Sequence, residues 1–137
     1  MRRRSSEERL AAADNLAQVR LGDGQYAEAE RINREVLGVQ RRILGEEHPE
    51  TLTSANNLAL SLSRQGKHAE AERMHREVLD AERRVLGEEH PDTLMSAANL
   101  ASSLWNQGKH AEAERIEREV LGVQRRGAYS AMSIRRR

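Results

Sequence analysis

The segment LGEEHPET at 44–51 returns as LGEEHPDT at 86–93, 42 residues later, with a single change, Glu50 to Asp92. The same interval separates GQYAEAER at 24–31, GKHAEAER at 66–73 and GKHAEAER at 108–115. Residues 48–84 and 90–126 are identical at 26 of 37 positions. A period of this length marks a repeat architecture, in which one supersecondary unit recurs and buries its apolar side only by stacking on its neighbours. Three copies are present; the first, from about residue 6, is more diverged and lacks the His-Pro pair.

Each unit holds two helical patterns. In the first, Leu52, Ala55, Leu58, Ala59 and Leu62 recur at spacings of three and four, one face of a helix A. His48-Pro49 precedes it, and proline is tolerated in a first turn, where its missing N–H has no intrahelical partner to lose. Glu50 places a negative charge beside the positive end of the helix. Gly66 stands where a left-handed residue would end it. The second pattern, Ala71, Met74, Val78, Ala81 and Val85, predicts a helix B. Its counterparts are Ala29, Ile32, Val36, Val39 and Ile43, then Ala113, Ile116, Val120 and Val123. Glu72, Arg73, Arg76, Glu77, Glu82 and Arg83 are expected on its wet face. The short QGKH turn makes the two helices antiparallel, and LGEEHP is the connector that every stacked unit needs. After Arg126 the pattern is lost, and GAYSAMSIRRR is expected to be disordered or to fold back as a cap.

Composition narrows the function. Lys+Arg 23 nearly cancels Asp+Glu 22, unlike the strongly basic balance of nucleic-acid-binding domains. Cysteine is absent, which removes disulfides and thiolate metal sites and fits a reducing compartment. No apolar run approaches the roughly 18 residues of a membrane span, and MRRRSSEERL lacks the apolar stretch of a signal peptide. The expectation is a soluble cytoplasmic protein that engages neither nucleic acid nor membrane.

The NNLA of helix A, the QGKHAEAE turn and the LGEEHPDT connector together resemble tetratricopeptide repeats, specifically the 42-residue kind found in kinesin light chains. The resemblance covers roughly residues 6–126. It implies an all-α fold, a right-handed α-solenoid of three antiparallel helix pairs. The repeat domain is then 6–126, with units at about 6–47, 48–89 and 90–126, a basic tail at 1–5 and a divergent basic tail at 127–137. Small Ala59 and Ala71 fall where the family brings its paired helices close. Where the family has an aromatic in the middle of helix B, this chain has Asn33, His75 and Glu117; late in helix A, in place of tyrosine, it has Arg20, Leu62 and Leu104. The heptad segment by which kinesin light chains join their heavy chain is missing.

Asn15, Asn57 and Asn99 recur strictly, each just before the Leu-Ala of its helix A. An amide offers a donor and an acceptor together, which is what a peptide backbone requires. One residue off the buried leucine, such a column would face the groove lined by the A helices and grip an extended peptide. The resemblance implies the same role; the alternative is that these amides tie neighbouring helices together. Helical spacing sets Asn56, Gln18, Arg64, Ser102, Trp105 and Asn106 on or near that surface, where variation between units would supply selectivity, with Asp14, Leu60 and Ala98 alongside. Trp105 fits either an interface anchor or a shield over the open end of the array.

No catalytic constellation is evident. The histidine pairs, His48 with His90 and His68 with His110, stand a full unit apart, too far to share a metal at about 2 Å per ligand. No metal and no cofactor is expected. Ser5 with Glu8 reads as a capping box of the first helix. The expected function is a non-enzymatic module binding a protein or peptide partner. The alternatives are a fragment that stacks end to end into homo-oligomers, and a cargo or adaptor subunit of a kinesin-light-chain-like complex.

Overall fold

The computed structural model describes residues 9, 13 and 25–135, with side chains to residue 132. Within residues 25–135 five helices follow one another: α1 (Tyr26–Ile43), α2 (Pro49–Arg64), α3 (His68–Val85), α4 (Pro91–Asn106) and α5 (His110–Arg135). Helices α2 and α4 are A helices, and α1, α3 and α5 are B helices. Each packs on the next in the chain, so that the units stack as an α-solenoid.

The connectors fix that path. His48 and His90 cap α2 and α4, their Nδ1 atoms accepting the backbone N–H of Glu50 at 3.2 Å and of Asp92 at 3.1 Å. Pro49 and Pro91 open the first turns. At the A–B turns Gly66 and Gly108 take φ of +82° and +80°. There Lys67 and Lys109 donate their N–H to the carbonyls of Leu62 and Leu104, both at 2.9 Å. This six-to-one closure needs a residue that tolerates the left-handed region, which glycine does without a side-chain penalty.

The core is one cluster laid down repeatedly. Leu52, Ala55, Leu58, Leu62, Ala71, Val78 and Ala81 pack with Leu37; one unit on, Ala97, Leu100, Leu104, Ala113 and Ile116 pack with Leu79. Leu37 and Leu79 belong to the preceding unit in each case, and they are the apolar link between units.

Four expectations are corrected. Ile43 and Val85, assigned to the core stripe, are 58% and 46% exposed. The B helices α1 and α3 have 18 residues against 16 in the A helices; at 1.5 Å per residue their last turns reach about 3 Å farther. Glu82, assigned to the wet face, is 4% exposed. Glu72 is largely covered, with 12% of its side chain exposed. Residues 127–135 neither unravel nor fold back: α5 continues as helix to Arg135. The basic tail at 1–5, the capping box and most of the first A helix lie outside the described residues.

Candidate functional site

The asparagines proposed to line the groove occupy equivalent places on α2 and α4. Asn57 and Asn99 are half-buried, each next to a fully buried leucine, Leu58 or Leu100. Asn57 Nδ2 is buried without a hydrogen-bond partner among the described residues. Such a donor forfeits about 1–3 kcal/mol until it finds an acceptor. Asn15 and Gln18 lie outside the described residues.

Asn56 is engaged within the scaffold. Its Nδ2 donates to Ser96 Oγ at 3.3 Å, linking α2 to α4. Ser96 in turn donates to Glu82 Oε2 at 2.7 Å, a buried chain across α2, α4 and α3. The residue before Asn57 thus ties two A helices together; before Asn99 that place is held by Ala98. Burial pushes the Glu82 carboxyl up; the hydrogen bond from Ser96 works against this, the Asp92 charge adds to it and His90 opposes it.

Arg64, Ser102, Trp105 and Asn106 are all exposed. Trp105 is 50% exposed and meets the His110 ring edge-on at 4.0 Å between centroids. Ser102 and Trp105, with Ala98 and Glu117, line a shallow cavity of about 350 Å³. Met95, 65% exposed on α4, is an apolar surface residue that the sequence reading did not single out. A cavity of about 600 Å³ lies elsewhere, among α3, α4 and α5 beside Leu79, Thr93 and Ile116. One unit earlier the equivalent positions line two smaller cavities. We read it as the groove that stacked units leave between them.

A further feature is an ion network repeated at the period of the chain. Glu30 Oε1 receives Gln65 at 2.9 Å and Lys67 at 3.0 Å, and Arg34 bridges Glu30 to Glu70 at 2.6 Å. Glu72, Gln107, Lys109, Arg76 and Glu112 repeat it with the same four bond types. Burial alone would raise the Glu30 carboxyl, but hydrogen bonds from Arg34, Lys67 and Gln65, with the Lys67 charge, hold it down to about 2. The signal was in the sequence, since these residues recur 42 apart, but only the fold shows that they join successive units. Among the described residues no group of three or more His, Asp or Glu side chains could hold a metal ion, and no helix is long and apolar enough to cross a membrane.

The tetratricopeptide repeat family model matches residues 8–82 and 52–126. No curated protein sequence matches the chain. Among solved structures, it is similar to a variant form of a Podosopora anserina protein of nearly identical TPR-like repeats, described as a kinesin light chain. That match has 30% identity and a TM-score of 0.81, and covers 89% of this chain and 57% of the other. BtubC (BKLC) from P. vanneervenii superposes with a TM-score of 0.82 at 20% identity, over 92% of this chain and 50% of that one. The TPR domain of Arabidopsis FLU gives 0.76 at 19% identity, over 86% and 96%. The chain therefore spans a little over half the length of the P. anserina array and half that of BtubC.

Proposed function

The chain belongs to the tetratricopeptide-repeat family, and from that premise we propose that it is a non-enzymatic module, acting in the cytoplasm, that holds an extended peptide segment of a protein partner along the groove of its A helices. The fold is that of a protein–protein interaction repeat. The observation that carries the finer reading is the equivalence of Asn57 and Asn99: same register, same half-burial, same flanking leucine. A ligand's backbone repeats along its length, and amides repeated along a groove match it without reading side chains. Asn15, at the same register of the first unit, extends the column. Arg64, Ser102, Trp105 and Asn106, which differ from their counterparts in the other units, then select among side chains. Gln18 does so in the first unit, and Asn56 contributes through the shape it fixes with Ser96. The repeat domain so used runs over 6–126.

A photo-crosslinking benzoylphenylalanine in place of Ser102 tests the location. Capture of the same partner peptide from Ser102, with none from Arg73 on the outer side of α3, supports the groove. Equal capture from both positions, or capture from Arg73 alone, contradicts it.

A cargo or adaptor role in a kinesin-light-chain-like complex is a second reading, favoured by the P. anserina similarity. Its test is co-purification of a motor heavy chain with this protein.

A further inference from the structure

The chain of side chains from Asn56 through Ser96 to Glu82 joins three helices at one point. Asn56 on α2 stands one residue before Asn57; Ser96 on α4 and Glu82 on α3 are buried. Asn56 donates to Ser96 and Ser96 donates to Glu82, so both hydrogen bonds run toward the carboxyl group. The result is a tie between two A helices that ends on a titratable group. At the equivalent places between α1 and α2 stand Gln40 and Ser54, both buried, and neither titrates.

Few charges meet Glu82. Burial raises its pKa most; from the α4 side the Ser96 hydrogen bond lowers it, the Asp92 charge raises it and His90, the cap, opposes Asp92. Helix α2 has no titratable residue between Glu50 and Arg64, and its contribution to the chain is the amide of Asn56. On α3 itself His75 is buried two turns earlier, and the neighbouring Asp80 and Arg83 are exposed. An ionised carboxylate has about four acceptor sites, and here Ser96 is its one side-chain donor. Such a group is unfavourable in a dry joint until water reaches it. Asn56 Oδ1 and Thr93 Oγ1, the latter one turn before Ser96, are buried without hydrogen-bond partners among the described residues. Water admitted to the joint finds partners there as well.

We propose that Glu82 is a proton-operated spacer between the A helices α2 and α4. Protonated, it lets the joint close, and the chain through Ser96 holds the two helices at the spacing that aligns Asn57 with Asn99. Ionised, it draws water between itself and Ser96, and α4 moves away. A water inserted into an O–H···O contact lengthens the path by up to about 3 Å. A peptide held by both asparagines is then released as pH rises through the titration of Glu82. That last consequence rests on the groove reading; the change of spacing does not.

The chain has no cysteine, so introduced ones can be spin-labelled without background. Thr53→Cys/Met95→Cys puts labels at equivalent exposed positions of α2 and α4, and pulsed dipolar spectroscopy reads their separation at pH 5 and pH 8. His75 stays neutral over that range, because burial lowers its pKa to about 4. The account predicts a mean distance about 2–3 Å longer at pH 8. Adding Glu82→Gln abolishes the shift, and Gln40 shows that such a joint accepts an amide. Thr53→Cys/Arg73→Cys, which spans α2 and α3 alone, stays constant, and circular dichroism checks each fold. Equal α2–α4 distances at the two pH values overturn the proposal, as does a shift that persists in Glu82→Gln or appears equally in the α2–α3 pair. No partner enters these measurements, so their failure is distinct from a failure of capture at Ser102.

Discussion

Ser96 on α4 donates its hydroxyl to Glu82 on α3 at 2.7 Å, in a space where the serine is 0% and the glutamate 4% exposed. Burial keeps the Glu82 proton bound to a higher pH in the folded chain than in the unfolded one. The folded state then holds more protons as pH rises above the ordinary carboxylate range, so this site stabilises at low pH and that contribution is lost as pH rises through the folded pKa. The preceding unit has the neutral Gln40 at the equivalent position. Glu82→Gln is expected to raise stability at pH 8 by about 1 kcal/mol, with little gain at pH 4. Urea unfolding at the two pH values measures the difference.

His75 has the opposite sign. It is 2% exposed, its Nδ1 has no partner among the described residues, and burial lowers its pKa from 6.5 to about 4. Its neutral form is the stable one, so its contribution is present above pH 6.5 and is lost as pH falls from 6.5 through 4. At 1.36 kcal/mol per unit of difference the acid loss is roughly 3 kcal/mol. His75→Phe, placing an aromatic where the repeat family has one, is expected to remove that acid limb and raise stability at neutral pH. Denaturant midpoints from pH 7 to pH 4 decide it; an unchanged acid slope would be the contrary result.

The inter-unit ion network predicts an asymmetry between identical residues. Burial would raise the Glu72 carboxyl, but hydrogen bonds from Arg76, Gln107 and Lys109, with the Arg76 charge, hold it down to about 2. It therefore stabilises above the ordinary carboxylate pKa of 4.5, and the contribution is lost as pH falls from 4.5 through 2. Glu72→Ala is expected to cost about 1–2 kcal/mol at pH 7, discounted for the half-exposed arginine and lysine partners. Glu114→Ala, at the equivalent place on α5 with no ion-pair partner among the described residues, is expected to cost almost nothing. Paired thermal melts test this, and equal losses would mean that the network does not bind the units together.

Gly66 closes the turn between α2 and α3 at φ +82°, with nothing within 4 Å of the position a Cβ would take. The cost of Gly66→Ala is therefore conformational and not steric crowding, about 1 kcal/mol. Gly38, inside α1 with equally open surroundings and no positive φ, should gain from the same change, since alanine is the better helix former. Opposite shifts in melting temperature are the expected outcome.

The 42-residue period made the fold legible, because identical connectors and leucine stripes leave few other arrangements. The buried face between Leu52 and Leu62 and the glycine turns were read directly. The second buried face of each B helix was not. It is built from Asn33 or His75, Leu37 or Leu79, and Gln40 or Glu82, and apart from the leucines these are polar, so hydrophobic periodicity does not report a surface that the next unit covers. The same blindness placed Glu82 in solvent. The half-buried register of Asn57 and Asn99 followed from their place beside a core leucine. The engagement of Asn56 with Ser96 did not, because it spans 40 residues and depends on how successive A helices approach.

The central claim, capture of a peptide backbone by the asparagine column, is tested most directly by partner affinity. The partner recovered with wild-type chain from source-cell lysate is titrated against wild type, Asn57→Ala/Asn99→Ala and the outer-face control Arg73→Ala, with circular dichroism to confirm folding. The account predicts a loss of about tenfold or more in the asparagine variant, as when hydrogen-bond partners at a binding site are removed, and no change in the control. Affinity unchanged in a folded Asn57→Ala/Asn99→Ala chain would contradict it and remove binding from the groove.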